Sequence, residues 1–199
     1  MTGKMKKIII CGAVSLFVIV LVGSIVGSAS AGMGGGAVGY YGGNAPGVKT
    51  GCIDCHGTTA GLAGQVVING PTAMKAGETA TFTIALIGAP PGPAGGIDAA
   101  IEQYNPETGE SVKADGLAAG TNTQYKAEAK EITHAAPIAL TPVNGRVWTF
   151  DWTAPSEGSY KLYAVCVAAN GNGKPDFDTT PKGVADGWYL GNQAITVSK

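Results

Sequence analysis

The segment Trp148-Thr149-Phe150-Asp151-Trp152-Thr153-Ala154-Pro155 sets three large aromatic rings at alternate positions with polar side chains between them. Successive side chains of an extended strand point to opposite faces. Trp148, Phe150 and Trp152 therefore share one face, and Thr149, Asp151 and Thr153 share the other. A three-ring face of this kind lines the core of a β-sandwich, where aromatic side chains bury the most area. The same period of two returns at Tyr160, Leu162, Ala164 and Cys166, and at Phe82, Ile84 and Leu86. It returns again at Ile97, Ala99 and Ile101, opposite Asp98, Ala100 and Glu102. Val66 to Ile68, Tyr125 to Thr133 and Trp188 to Val197 add further strand candidates, and Pro90-Pro91-Gly92-Pro93, Asn105-Pro106 and Asn144-Gly145 punctuate the runs as turns. No amphipathic helix of three turns is visible. The expectation is an all-β antiparallel sandwich of about seven strands over residues 65–199.

Immediately upstream stands Cys52-Ile53-Asp54-Cys55-His56 in residues 52–64. In the C-x-x-C-H pattern two thiols add across the vinyl groups of one haem while the adjacent imidazole reaches the iron, and the spacing follows from that geometry. Three other uses of these residues compete. A thioredoxin-like redox pair needs a βαβ setting, and none surrounds this site. A structural zinc ion could recruit Cys166 as fourth ligand to Cys52, Cys55 and His56, although zinc ligands usually come as two close pairs. A Cys52–Cys55 disulfide in an exported chain leaves His56 without a role. One covalent haem c accounts for all three residues.

After His56 one iron position remains, and the candidates are His134, Met33 and Met74. His134 is the other histidine of the chain, at the end of the strand Glu131-Ile132-Thr133, where a loop-borne group can reach it. Met74 precedes the first strong strand and reads as a packing residue. His134 is thus the expected distal ligand. Two imidazoles leave the iron no open site, which suits electron transfer and opposes gas or peroxide chemistry.

Residues 1–31 carry the three parts of an export signal: Lys4, Lys6 and Lys7, an apolar run from Ile8 to Val26, and Ala29-Ser30-Ala31. The 19-residue run approaches the roughly 20 residues that cross a bilayer, so the segment serves as a cleaved signal or as an N-terminal membrane anchor. Either way the rest lies outside the cytoplasm, in the periplasm, at the cell surface or secreted. Nine of the twenty residues from Gly32 to Gly51 are glycine, which reads as a flexible linker carrying the haem segment. With Lys4, Lys6 and Lys7 removed from the 13 basic residues, ten remain against 14 acidic ones. A net charge of −4 and no basic run argue against nucleic acid and for a basic redox partner protein. Asn170, Asn172, Asp176 and Asp178 fall in a Gly-rich loop, but Pro175 interrupts the series and a solvated turn is the better reading than a calcium loop. Cys166 shares its alternation with Leu162 and Ala164 and reads as a buried thiol.

Taken together, Cys52 to His56, Ile132-Thr133-His134-Ala135-Ala136-Pro137, Trp148 through Pro155, and Tyr163 through Ala168-Ala169-Asn170-Gly171-Asn172-Gly173 carry a resemblance. The chain resembles exported bacterial and archaeal monohaem c-type cytochromes with a Reeler-like β-sandwich domain. Ala135 and Cys166 depart from that pattern, where a hydroxyl residue and a small residue are usual. The resemblance implies an immunoglobulin-like sandwich at the cell surface and a histidine at the His134 position, and no established reaction. The leading expectation is electron transfer rather than enzymatic turnover, since no Gly-x-Ser-x-Gly, phosphate loop or paired-carboxylate motif appears. An adhesion or assembly module, including a haem-containing filament built from copies of the chain, is the alternative. A haem-based ligand-binding or sensor protein is a second, and needs an open iron position.

Overall fold

The computed structural model describes residues 37–49, 51–52, 64–89, 92–140, 146–169 and 186–199. The signal or anchor, Met33, Cys55, His56 and the Asn170 to Asp178 loop lie outside the described residues. Twelve strands follow one another: β1 (Gln65–Asn69), β2 (Ala73–Lys75), β3 (Thr79–Ile87), β4 (Gly92–Tyr104), β5 (Ser111–Lys113), β6 (Leu117–Ala119), β7 (Thr123–Lys126), β8 (Glu131–His134), β9 (Ile138–Leu140), β10 (Arg146–Thr153), β11 (Gly158–Ala169) and β12 (Gly187–Ser198). They form two sheets, β1-β3-β10-β6 and β2-β12-β11-β4-β8-β7, with β5 and β9 also pairing β4. The architecture is the all-β sandwich expected.

The sequence pattern indicates about seven strands and the fold has twelve among the described residues. The surplus is short: β2, β5, β6 and β9 have three residues each, too few for alternation to register. The run Tyr125 to Thr133 is not one strand but the hairpin β7–β8, turned by residues 127–130 with Lys130 at φ 55°. Gly92 and Pro93, expected in a turn, begin β4. Among the described residues every pairing is antiparallel except β2 with β12.

The inner faces are those the alternation marks. Trp148, Phe150 and Trp152 on β10 are fully buried, as are Phe82 and Ile84 on β3 and Leu162, Ala164 and Cys166 on β11. Phe82 stacks on Phe150 with ring centroids 5.6 Å apart, and Trp152 meets Tyr160 edge-on at 5.1 Å across the gap between the sheets. The Trp152 indole N–H donates to the Asp115 carbonyl at 2.9 Å, so the buried ring leaves no orphan donor. Met74 is 4% exposed within this core, the packing position that the sequence suggests for it. Trp148, Phe150 and Trp152 all belong to the core.

The outer face of the larger sheet departs from expectation. Asp98, Ala100 and Glu102 alternate outward as the pattern requires, yet they are 3%, 0% and 0% exposed. The segment read as a flexible linker covers them: over residues 37–49 it is docked, with Tyr41 fully buried against Ala100 and Tyr163. Backbone amides explain why glycine-rich chain suits the task. Gly39 N–H donates to Glu131, Tyr40 N–H to Asp98, and Asn44 and Ala45 N–H to Glu102, at 2.7 to 3.0 Å. A Cβ on Gly43 would stand 2.2 Å from a Glu102 oxygen, so only glycine lets the backbone come this close.

Candidate functional site: the outer face of the larger sheet

Strand register defines the site. On the outer face Gly96 of β4 pairs with Val167 of β11, and Val167 pairs with Trp188 of β12. This row spans two strand spacings, about 10 Å. Residues 37–49 cover the rows beside it, and the chain then passes over the row itself. Gly51 lies against the Trp188 indole, and Cys52 packs on the cluster of Val165, Val167 and Trp188.

His134 stands at the other end of the same row. It ends β8 where the ladder with β4 breaks: Thr133 pairs Asp98, the next paired residue of β4 is Gly95 with Ile138 of β9, and the imidazole fills the interval. Its Nδ1 lies 3.3 Å from both the amide nitrogen and the carbonyl oxygen of Ile97, accepting from the first or donating to the second according to tautomer. The ring occupies the notch left by Gly96, where an added Cβ would come within 2.6 Å of Nδ1. Burial holds the imidazole below the usual histidine range, so it is neutral at physiological pH. With Nδ1–H donating to Ile97, the Nε2 lone pair is left for a metal, as in histidines whose second nitrogen is fixed by a backbone carbonyl.

This face has an apolar floor, with a neutral imidazole at one end and a cysteine at the other. Cys52 and His134 are brought to one face, while Cys55 and His56 lie outside the described residues. Cys166 is on the opposite face of β11, fully buried in the core, with its thiol pushed up by burial. It therefore does not complete a zinc site with Cys52, which packs on the outward Val165 and Val167. Nothing in the sequence pattern pointed to Gly96, Val167 or Trp188, because a platform made by cross-strand register has no local spacing signal.

Gly96→Val is expected to drive the His134 ring from its notch and to lower stability by about 1–3 kcal/mol, the usual cost of overpacking. The histidine pKa, followed by NMR, should rise toward the ordinary value of about 6.5. A pKa that does not move would show that Gly96 does not seat the ring.

No family model and no curated protein sequence matches the chain. Solved structures similar to it include the human F-spondin reeler domain, at 16% identity and TM-score 0.45 over 70% of this chain and 92% of that one. A cohesin module from a Clostridium perfringens family 33 glycoside hydrolase is similar at 10% identity and TM-score 0.42, covering 68% and 97%. The CARDB domain of the PF1109 protein from Pyrococcus furiosus, solved in complex with di-metal ions, is similar at 16% identity and TM-score 0.37, covering 71% and 94%.

Proposed function

We propose that the chain is an exported monohaem c-type cytochrome that transfers electrons outside the cytoplasm. Cys52 and Cys55 hold the haem by thioether bonds, His56 is the proximal ligand and His134 the distal one. The observation that carries this reading is the arrival of Cys52, first residue of the C-x-x-C-H segment, on the sheet face where His134 presents a neutral imidazole. When bound, the haem supplies a one-electron couple.

The rest is done by the chain. The backbone of Ile97 holds Nδ1 of His134, Gly96 seats the ring, and Val167 and Trp188 give the platform an apolar floor. The docked residues 37–49 hold Cys52 in place, so the segment acts as a clasp and not as a swinging arm. With the signal removed, the net negative charge suits a basic partner protein. The N-terminal segment either leaves the protein free or tethers it to the membrane.

Expression with a haem-ligation pathway should give mature protein heavier by about 616 Da than the polypeptide, with c-type absorbance when reduced. Properly matured protein without that increment sinks the proposal.

A further inference from the structure

Of the 13 basic residues of the chain twelve are lysines, and the one arginine is Arg146. The lysines serve the surface: Lys113, Lys130 and Lys199 each meet a carboxylate. Arg146 meets none among the described residues. It opens β10 on the strand face that carries Trp148, Phe150 and Trp152, the face turned to the core, and pairs with Leu86 of β3. The side chain is half-buried, and its Nε–H is buried outright with no acceptor.

Trp148, two residues on, repeats the pattern. Its ring is 0% exposed and its indole N–H is buried without an acceptor. Trp152, on the same strand face, shows the ordinary solution, since its N–H donates to the Asp115 carbonyl at 2.9 Å. A buried donor without an acceptor gives up its hydration and gains no bond in return, and the loss is larger for a charged group. Arg146 and Trp148 stand about 7 Å apart along one strand face, so a single small acceptor can serve both.

The surroundings set the chemistry of that acceptor. The cross-strand neighbours are Leu86 and Ile84, buried and apolar. The carboxylates buried among the described residues stand elsewhere: Asp98, Glu102 and Glu131 on the outer face of the larger sheet, and Asp186 ahead of β12. One guanidinium and one neutral N–H balance a single negative charge, whereas a dianion would leave a surplus in a poorly solvated place. A carboxylate offers two coplanar oxygens, one for each donor, and suits the planar guanidinium fork. Apolar walls suit a short hydrocarbon remainder. We propose that Arg146 and Trp148 form a binding site for a small organic monocarboxylate at the end of the sandwich core. One oxygen accepts from the guanidinium and the other from the indole N–H. The site lies on the inner face of the smaller sheet, away from His134, and needs no haem.

The test is a titration of the full mature chain, kept reduced, followed through the NMR signals of the indole N–H groups, with Trp148→Phe assigning the one that matters. Butyrate is the probe, set against sodium chloride at equal ionic strength and against phosphate. The Trp148 signal should move downfield and saturate with butyrate, while that of Trp152, already bonded to Asp115, stays in place. Arg146→Gln should weaken butyrate binding at least tenfold, and an unmoved Trp152 signal shows that the strand is still folded. Should that variant not fold, the wild-type titration decides. No saturating shift of Trp148 overturns the inference, as does undiminished affinity in folded Arg146→Gln. An equal response to phosphate overturns the carboxylate assignment. Each of these outcomes leaves the cytochrome reading intact, and protein without thioether-bound haem leaves this site intact.

Discussion

Glu102→Ala is expected to release residues 37–49 from the sheet and to cost about 3 kcal/mol of stability. The carboxylate accepts from the Tyr41 hydroxyl at 2.9 Å, Asn44 N–H at 3.0 Å and Ala45 N–H at 2.7 Å. Left dry, three donors would cost about 1–3 kcal/mol each. Lifting the clasp into water avoids that cost but gives up the burial of Tyr41, about 2–3 kcal/mol for a large ring. Lifting is the cheaper route, so the loss is set by burial and the clasp opens while the sandwich stays folded. Hydrogen exchange should show the amides of Gly39, Tyr40, Asn44 and Ala45 unprotected, with β3, β10 and β11 protected as before. Denaturant unfolding gives the magnitude. Glu102→Gln keeps one oxygen acceptor and should lose less than half as much. Unchanged protection of those four amides in Glu102→Ala would mean that apolar packing alone holds the clasp.

That clasp is what the amino-acid pattern conceals. The inner faces of β3, β4, β10 and β11 were legible because period-two alternation records which side meets the core, and burial of Phe82, Ile101, Phe150 and Leu162 follows it. Residues 37–49 read as flexible because glycine removes every side-chain signal. Their acceptors lie far along the chain, 58 residues from Tyr40 to Asp98 and 92 from Gly39 to Glu131. Backbone-to-carboxylate bonding at such separation leaves no local trace except glycine, which marks close approach and looseness alike. Asp98 and Glu102 showed the same ambiguity, since outward carboxylates on an alternating strand look solvated. The hairpin at residues 127–130 was missed because Lys130 adopts a left-handed conformation without the glycine or asparagine that usually announces it.

Elimination singles out His134 in the sequence, and the role proposed for it rests on a geometry that elimination does not supply. His134→Ala is expected to keep the covalent mass increment, because Cys52, Cys55 and His56 are untouched, and to lose the low-spin visible and near-infrared signature. The mature variant should then bind carbon monoxide in the ferrous form at neutral pH, which the parent with both axial positions filled should not. Loss of the imidazole removes the side-chain partner of Ile97 and should cost about 1 kcal/mol in stability. Spectral change and stability change are therefore separable. Added imidazole should restore the low-spin spectrum by entering the space over Gly96, without restoring the tethered contact to Ile97. The rescue matters because it distinguishes a lost ligand from a disturbed fold. A variant whose spectrum matches the parent would place the sixth ligand elsewhere and leave His134 as a strand-end histidine that closes the gap between β8 and β9.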